Sequence, residues 1–462
     1  MNLFRTKSVN AMHQSSGLMR NLTAFDLTML GIGVIIGAGI FVLTGIAAAT
    51  MAGPAIILSY LLAGVACACA ALSYAELSTS IGGSGSAYGY AYAGFGELIA
   101  WLIGWDLLLE YGIAVSAIAI GWSSYFNNAL TALGITLPDF LLKNAFEEGG
   151  FINLPAFLIV IFIMGLLAAG IKTSKRFNLV IVFIKLLTVA IFVGVAVFNV
   201  NLVNWQPFAP FGWEGIVAGA ALVFFAYIGF DALSTAAEET IEPQRNLPKG
   251  ILGSLIICTV LYMLVAGLLT LVTPYANLNT SSPVSYALLS LGYDFAGGIV
   301  AAGAIAGLTT GILVMFYGFS RIFLAMSRDG LLPTAFSKIS TKTHTPMRII
   351  VGSGIVIASI SGFAPMAALA ELINIGTLTA FIIVCAGVIT LRYTKPNLHR
   401  PFRVALSPYI PMIGILLCAY FIISLPSATW LRFGCWMAIG CVVYFCYGYF
   451  NSHLAKSAPS EG

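Results

Sequence analysis

An all-α polytopic membrane protein of about twelve spans is the fold class that the sequence predicts, and three observations predict it. The first is composition: 60% of the 462 residues are hydrophobic and 8% are charged, where a soluble domain carries about 25% charge. The second is periodic length. Apolar windows of about 20 residues, enough to cross a hydrocarbon core about 30 Å thick, fall near 28–49, 54–75, 97–122, 153–170, 177–199, 214–237, 250–272, 296–320, 349–364, 370–391, 408–425 and 431–450. The third is the placement of lysine and arginine, which collect on one face of that layout.

Each element follows in order. Residues 1–27 are polar or mixed and show no small-residue cleavage site, so they read as a retained tail rather than a removable signal. The spans then form one transmembrane domain over 28–451, and its longest loops, 123–152, 273–295 and 321–348, are too short to hold a soluble domain. Residues 452–462 are a second tail. Of the 21 basic residues, 18 fall on the tail side, in clusters such as Lys172, Lys175 and Arg176, or Arg392, Lys395, Arg400 and Arg403, while Lys143 and Arg432 fall opposite. The positive-inside rule therefore makes both termini cytoplasmic. The net charge of +4 is accounted for by these retention signals, with the lipid bilayer as partner and no nucleic acid.

All eight cysteines sit in apolar segments, which disfavours structural disulfides. His13, His344, His399 and His453 lie in tails or tail-side loops with no spacing that makes a ligand set, so no metal and no cofactor is expected. No histidine, ligand set or activated serine stands at membrane depth, which argues against an intramembrane enzyme.

Lys185 is the basic residue left over. It interrupts RFNLVIVFIKLLTVAIFV about 13 Å past the boundary at 1.5 Å per residue, close to the midplane. A charged lysine there costs roughly 3 kcal/mol or more on insertion scales. It must pair or give up its proton. Three readings stand: a structural hydrogen bond to a neighbouring carbonyl, proton coupling, or a fixed charge in place of a bound cation. Intramembrane acids are few as well. Asp106 and Glu110 stand four apart on one face in GWDLLLEYG, and Asp231 interrupts FFAYIGFDALS. Acids at that depth usually face a bundle interior or a watery cavity, although Asp106 is equally readable as a cap or helix anchor.

Spans one and six both carry glycine at mid-depth, in GIGVIIGAGIF (31–41) and AYIGFD (226–231), and they begin two blocks of five spans, 28–199 and 214–391, followed by two extra helices at 408–450. Each helical glycine costs roughly 1 kcal/mol against alanine. One explanation is close helix packing. The other is a pair of broken helices in an inverted repeat, whose half-helix N-termini offer N–H groups to a carboxylate while freed carbonyls accept from an ammonium. That combination describes an α-amino acid site.

The motifs FDLTMLGIGVIIGAGIF, GGSGSAYGYAYAGFGE, GWDLLLEYG, FFAYIGFDALSTAAEE and SRDGLLP together resemble the amino acid–polyamine–organocation superfamily, and within it the bacterial relatives of the cationic amino acid transporters. The resemblance spans nearly the whole chain. It implies the leucine-transporter fold, two inverted five-helix repeats plus two helices, working by alternating access in a bacterial inner membrane. It places substrate at Ile36, Gly37, Ala38 and Gly39 and at Phe225, Ala226 and Ile228, and it matches Lys185 to the lysine that replaces a sodium ion in proton-coupled relatives. A small accessory membrane subunit is compatible with it. Many relatives have serine or threonine where this chain has Ala38, which leaves the substrate carboxylate to backbone N–H groups.

Met315 beside Phe225 and Ile228 makes the expected side-chain pocket apolar, which penalises a buried cation. The expectation is proton-coupled symport of a small or medium neutral amino acid such as alanine, with Lys185, Glu110 and Asp231 in the coupling and protons as the coupling ion. The alternatives are a cationic amino acid carrier, served by Glu110 or Asp231 if either lines the pocket, an exchanger or a sodium-coupled carrier. A channel or sensor is the rival of another class. The glycine-rich 82–90 lacks the lysine and hydroxyl of a phosphate loop and reads as a tail-side gate loop. Asp329 and Glu238 or Glu239 are expected to pair with Arg321, Arg328 or Arg245 in that gate, or else to be solvated.

Overall fold

The computed structural model describes residues 3, 5–7, 22–81, 87–132, 134–170, 175–231, 233–234, 240–280, 282–343 and 345–457. Seven stretches are long and apolar enough to cross a bilayer, and five apolar helices of 10–17 residues supply the remaining crossings. The first long stretch, Gly39–Ile81, joins the second half of span 1 to span 2 (Ile56–Ile81). Among the described residues the architecture is all-α, with two isolated bridges, Leu22 with Thr240 and Asn144 with Phe151, as its only β-type pairings.

Two long helices form the spine. Span 3 (Glu97–Ala132) has 36 residues and span 8 (Asp294–Arg328) has 35. At 1.5 Å per residue each is over 50 Å long, longer than a hydrocarbon core about 30 Å thick. They pack along one another, and span 10 (Met366–Thr394) lies against span 3. Span 5 (Lys175–Ala196) lies against span 8 where glycine leaves room: a β-carbon on Gly303 would sit 1.9 Å from Thr188 Oγ1, and one on Gly307 would sit 2.9 Å from Lys185 Cε. Small residues let helices approach in lipid, where there is no hydrophobic force between them.

Span 12 begins with helix Ser427–Val443 and is fixed to span 3 by tryptophans. Trp105 and Trp436 stack at 4.5 Å, and each donates its indole N–H to the other's carbonyl, at 3.0 and 3.1 Å. Trp101 donates to the Gly440 carbonyl.

Spans 1 and 6 are interrupted. The helix Ala24–Ile35 stops at Ile36, whose ψ of 101° is extended, and helical structure resumes at Gly39 through a π-turn (Gly39–Leu43). In span 6 the helix Gly212–Val223 tightens to a 3-10 turn, Phe224–Tyr227. Ile228 is then extended, and Gly229 has φ +114°, a region that L side chains rarely adopt. A side chain there would also meet Val34, 2.4 Å away.

Both tails meet on one face. Lys7 Nζ bonds Asp329 at 2.8 Å and the Tyr88 hydroxyl bonds the same carboxylate at 2.7 Å, while the His453 N–H reaches the Asp329 carbonyl. The expected gate pairing therefore changes. Asp329 is held by the N-terminal tail and by the short helix Ala87–Gly94 rather than by Arg321, Arg328 or Arg245, because the described residues of the tail fold back across the ends of spans 3 and 8. Arg245 lies 3.8 Å from Glu242 instead. Glu238 and Glu239, and residues 82–86 of the glycine-rich loop, lie outside the described residues. Nearby, buried Glu76 takes a bidentate Arg392 and the Val404 N–H, which ties the segment after span 10 to span 2.

Candidate functional site

The helix Ala24–Ile35 ends in the middle of the protein, and the last carbonyls of any helix lack partners of their own. Other spans supply them. Lys185 is fully buried, and its ammonium nitrogen donates to the carbonyls of Gly33 at 2.6 Å and Ile36 at 2.7 Å. A cation at a helix C-terminus is favoured by the helix dipole. Tyr262, on span 7 (Pro243–Val272), places its hydroxyl 2.7 Å from the Ile35 carbonyl and 2.8 Å from the Ala226 carbonyl. Its single proton serves one of them at a time, so one oxygen bridges the two interruptions.

The breaks also touch directly. A β-carbon on Gly39 would lie 2.2 Å from Ala226 Cα, so glycine is what lets the two backbones meet. Span 6 finds its other partners among neutral groups and its own carboxylate. Asn374 Nδ2 donates to the Leu222 carbonyl at 3.0 Å, and the Gly229 N–H reaches Asp231 Oδ1 at 3.1 Å. Tyr111 donates to Asp231 Oδ2 at 3.0 Å.

A narrow cavity of about 20 Å³ opens where the breaks meet, lined by Val34, Ile35, Gly37, Ala38, Gly39, Ala114, Ile118, Phe225, Ile228 and Met315. Of the residues expected there, Gly37, Ala38, Gly39, Phe225, Ile228 and Met315 line it. Ile36 does not, since its carbonyl is engaged by Lys185, and Ala226 is packed against Gly39. The π-turn begins at Gly39, a lining residue, and the first N–H groups of any helix lack partners within it; that of Phe41 reaches back to the Gly37 carbonyl at 3.4 Å. The side chains around them are wholly apolar.

Reading residues one at a time misses Val34, Ile35, Ala114 and Ile118. A signal for the last two was present: Asp106, Glu110, Ala114 and Ile118 follow a four-residue spacing, which keeps successive side chains near one another along a helix. The two acids continue that row from the cavity toward the tail face. Neither lines the cavity. Both are 1% exposed, and neither carboxyl has a hydrogen-bond partner among the described residues. Glu110 lies near Asp231 and Thr377, and Asp106 lies against Gly376, where a β-carbon would stand 2.5 Å from Oδ1.

Residues 22–432 match the amino acid permease family. The chain belongs to that family, within the amino acid–polyamine–organocation superfamily. It is 49% identical over 458 residues to the methylthioribose transporter of Bacillus subtilis, covering 98% of this chain and 99% of that protein. It is 48% identical over 463 residues to the branched-chain amino acid permease BcaP of the same organism, with 98% and 99% covered. To the vacuolar cationic amino acid transporter 4 of Arabidopsis thaliana it is 39% identical over 407 residues, covering 86% of this chain and 68% of the relative. This permease is thus a multi-pass membrane transporter of the amino acid permease family and not an enzyme.

Proposed function

We propose that this permease is a proton-coupled symporter of neutral α-amino acids with apolar side chains, from alanine up to the branched-chain class, working by alternating access with both termini cytoplasmic. The observation that carries the reading is the Lys185 ammonium on the Gly33 and Ile36 carbonyls, beside an apolar cavity built on two helix breaks. A substrate carboxylate takes the N–H groups at the start of the Gly39 turn, and its ammonium takes free carbonyl lone pairs of the breaks. The side chain enters the wall of Ile118, Phe225, Ile228 and Met315.

Lys185 links that site to a proton. While protonated it holds the end of the first half-helix; on release it donates less and the half-helix is free to move. Glu110 and Asp231, with Asp106 on the same row as Glu110, form the polar route toward the tail face. The two blocks of five spans rock about the site as an inverted repeat. Neither Glu110 nor Asp231 lines the cavity, which favours neutral over cationic substrates. The BcaP relative, named for branched-chain amino acids, supports the same choice.

The test is uptake by purified protein in sodium-free proteoliposomes. An inward proton gradient is expected to accumulate alanine or a branched-chain amino acid, and preloaded vesicles should show saturable counterflow. Uptake that needs sodium, or exchange with no response to the gradient, would overturn the coupling. Inhibition by methylthioribose and by no amino acid would overturn the substrate.

A further inference from the structure

A second cavity, of about 500 Å³, lies on the membrane face away from the tails, between the far half of span 3, the start of span 4 (Leu154–Ala168) and the turn Asp139–Leu141. Trp122, Phe126, Leu130, Leu141, Leu158 and Phe162 form most of its wall. Trp122 and Phe126 stack at 4.8 Å, and the indole N–H of Trp122 is committed to Thr309 Oγ1 on span 8 at 2.9 Å. Every lining side chain is apolar, so water, which needs two to four polar partners to occupy a buried site, gains nothing there.

The space is nonetheless large against the roughly 30 Å³ that one liquid water occupies. It also opens sideways, since Leu158 is 52% and Phe162 58% exposed on a helix surrounded by lipid. An apolar hollow continuous with hydrocarbon is filled by what the bilayer supplies. Within two residues of Leu141, Lys143 and Asp139 form an exposed ion pair at 2.6 Å, a cation and an anion that match the phosphate and the ammonium of a zwitterionic headgroup.

We propose that this groove is a phospholipid site, taking one acyl chain of a zwitterionic lipid from the leaflet opposite the tails, with its headgroup at Lys143 and Asp139. The site bears on transport through span 3. Trp122 stands one turn beyond Ile118, which lines the central cavity, so a chain seated on Trp122 steadies that wall. This assignment rests on the membrane fold and is independent of proton coupling.

The test uses the full-length protein purified with phosphatidylethanolamine and progressively delipidated, with bound lipid counted by native mass spectrometry. Wild type is expected to keep one phosphatidylethanolamine after the rest is stripped. Leu158→Trp, which fills the groove, is expected to lose retention by about tenfold or more, equivalent to roughly 1.4 kcal/mol. Leu187→Trp, at a lipid-exposed position on span 5, should keep it. Should Leu158→Trp fail to run as a single species, Phe126→Ala enlarges the groove and is expected to weaken retention severalfold while leaving the fold intact. No retained lipid in wild type, or equal retention in the groove and control variants, assigns the lipid to the ordinary annulus and overturns the site.

Discussion

The two interruptions do the same geometric work with different chemistry. In span 1 the freed carbonyls of Gly33 and Ile36 are held by an ammonium, Lys185, buried at full depth. In span 6 the carbonyls of Leu222 and Ala226 are held by an amide and a phenol, and the turn itself is fixed by Gly229 at φ +114°. Neutral donors alone hold the carbonyls of span 6, whereas a charged donor holds two of those in span 1. What the difference teaches is that only one of the two breaks has helix-end carbonyls that depend on a charge.

The contrast can be broken most severely where the breaks touch. Gly39→Ala pushes a methyl into the Ala226 backbone. Overpacking of this kind typically costs about 1–3 kcal/mol, and here it also parts the two breaks, so uptake should fall by about a hundredfold while the protein still inserts; radiolabelled uptake with surface labelling checks it. Near-normal uptake would mean the close approach is incidental.

Lys185→Ala comes next. It leaves two buried carbonyls without their donor, a loss of about 1–3 kcal/mol for each group left unsatisfied, and removes the group to which the proposed coupling assigns the proton. Residual transport is expected to be severalfold lower or more and flat with pH, measured as exchange from pH 5 to 8. A slope like that of wild type would move the coupling to Glu110 or Asp231.

Tyr262→Phe sharpens the comparison, since that hydroxyl is shared by the Ile35 and Ala226 carbonyls. Losing one net hydrogen bond costs about 0.5–1.5 kcal/mol. Uptake is expected to fall by a few-fold to about tenfold with its pH dependence intact. A change in the pH profile would tie Tyr262 to the proton rather than to position. Ala38→Ser has the smallest effect. It restores a hydroxyl at the cavity rim, and about 0.5–1.5 kcal/mol from one added hydrogen bond tightens substrate binding severalfold at most, read by scintillation proximity or tryptophan quenching. Weaker binding would show that the rim has no space for the oxygen.

The chain of apolar windows made the twelve crossings legible, because each needs only its own length and composition to be recognised. Mid-depth glycine marked spans 1 and 6, and isolation in apolar sequence marked Lys185. The partner of Asp329 was misread. Asp329 has several arginines close in sequence, and the lysine that holds it comes from 322 residues away. Ala114 and Ile118 escaped notice for another reason: apolar residues in an apolar helix carry no contrast until the facing helices are known.

Local energetics thus fixed what any window of this chain must do. Twenty apolar residues span, glycine weakens a helix, and a lone ammonium in hydrocarbon needs partners, whatever surrounds them. Which partners they find is a matter of distance between parts of the chain far apart in sequence. Tertiary packing alone brought Lys185 to Gly33 and Ile36, set Gly39 on Ala226, and put the Tyr262 oxygen between both breaks, because hydrogen bonds and steric contacts act over a few ångströms and are blind to position along the sequence.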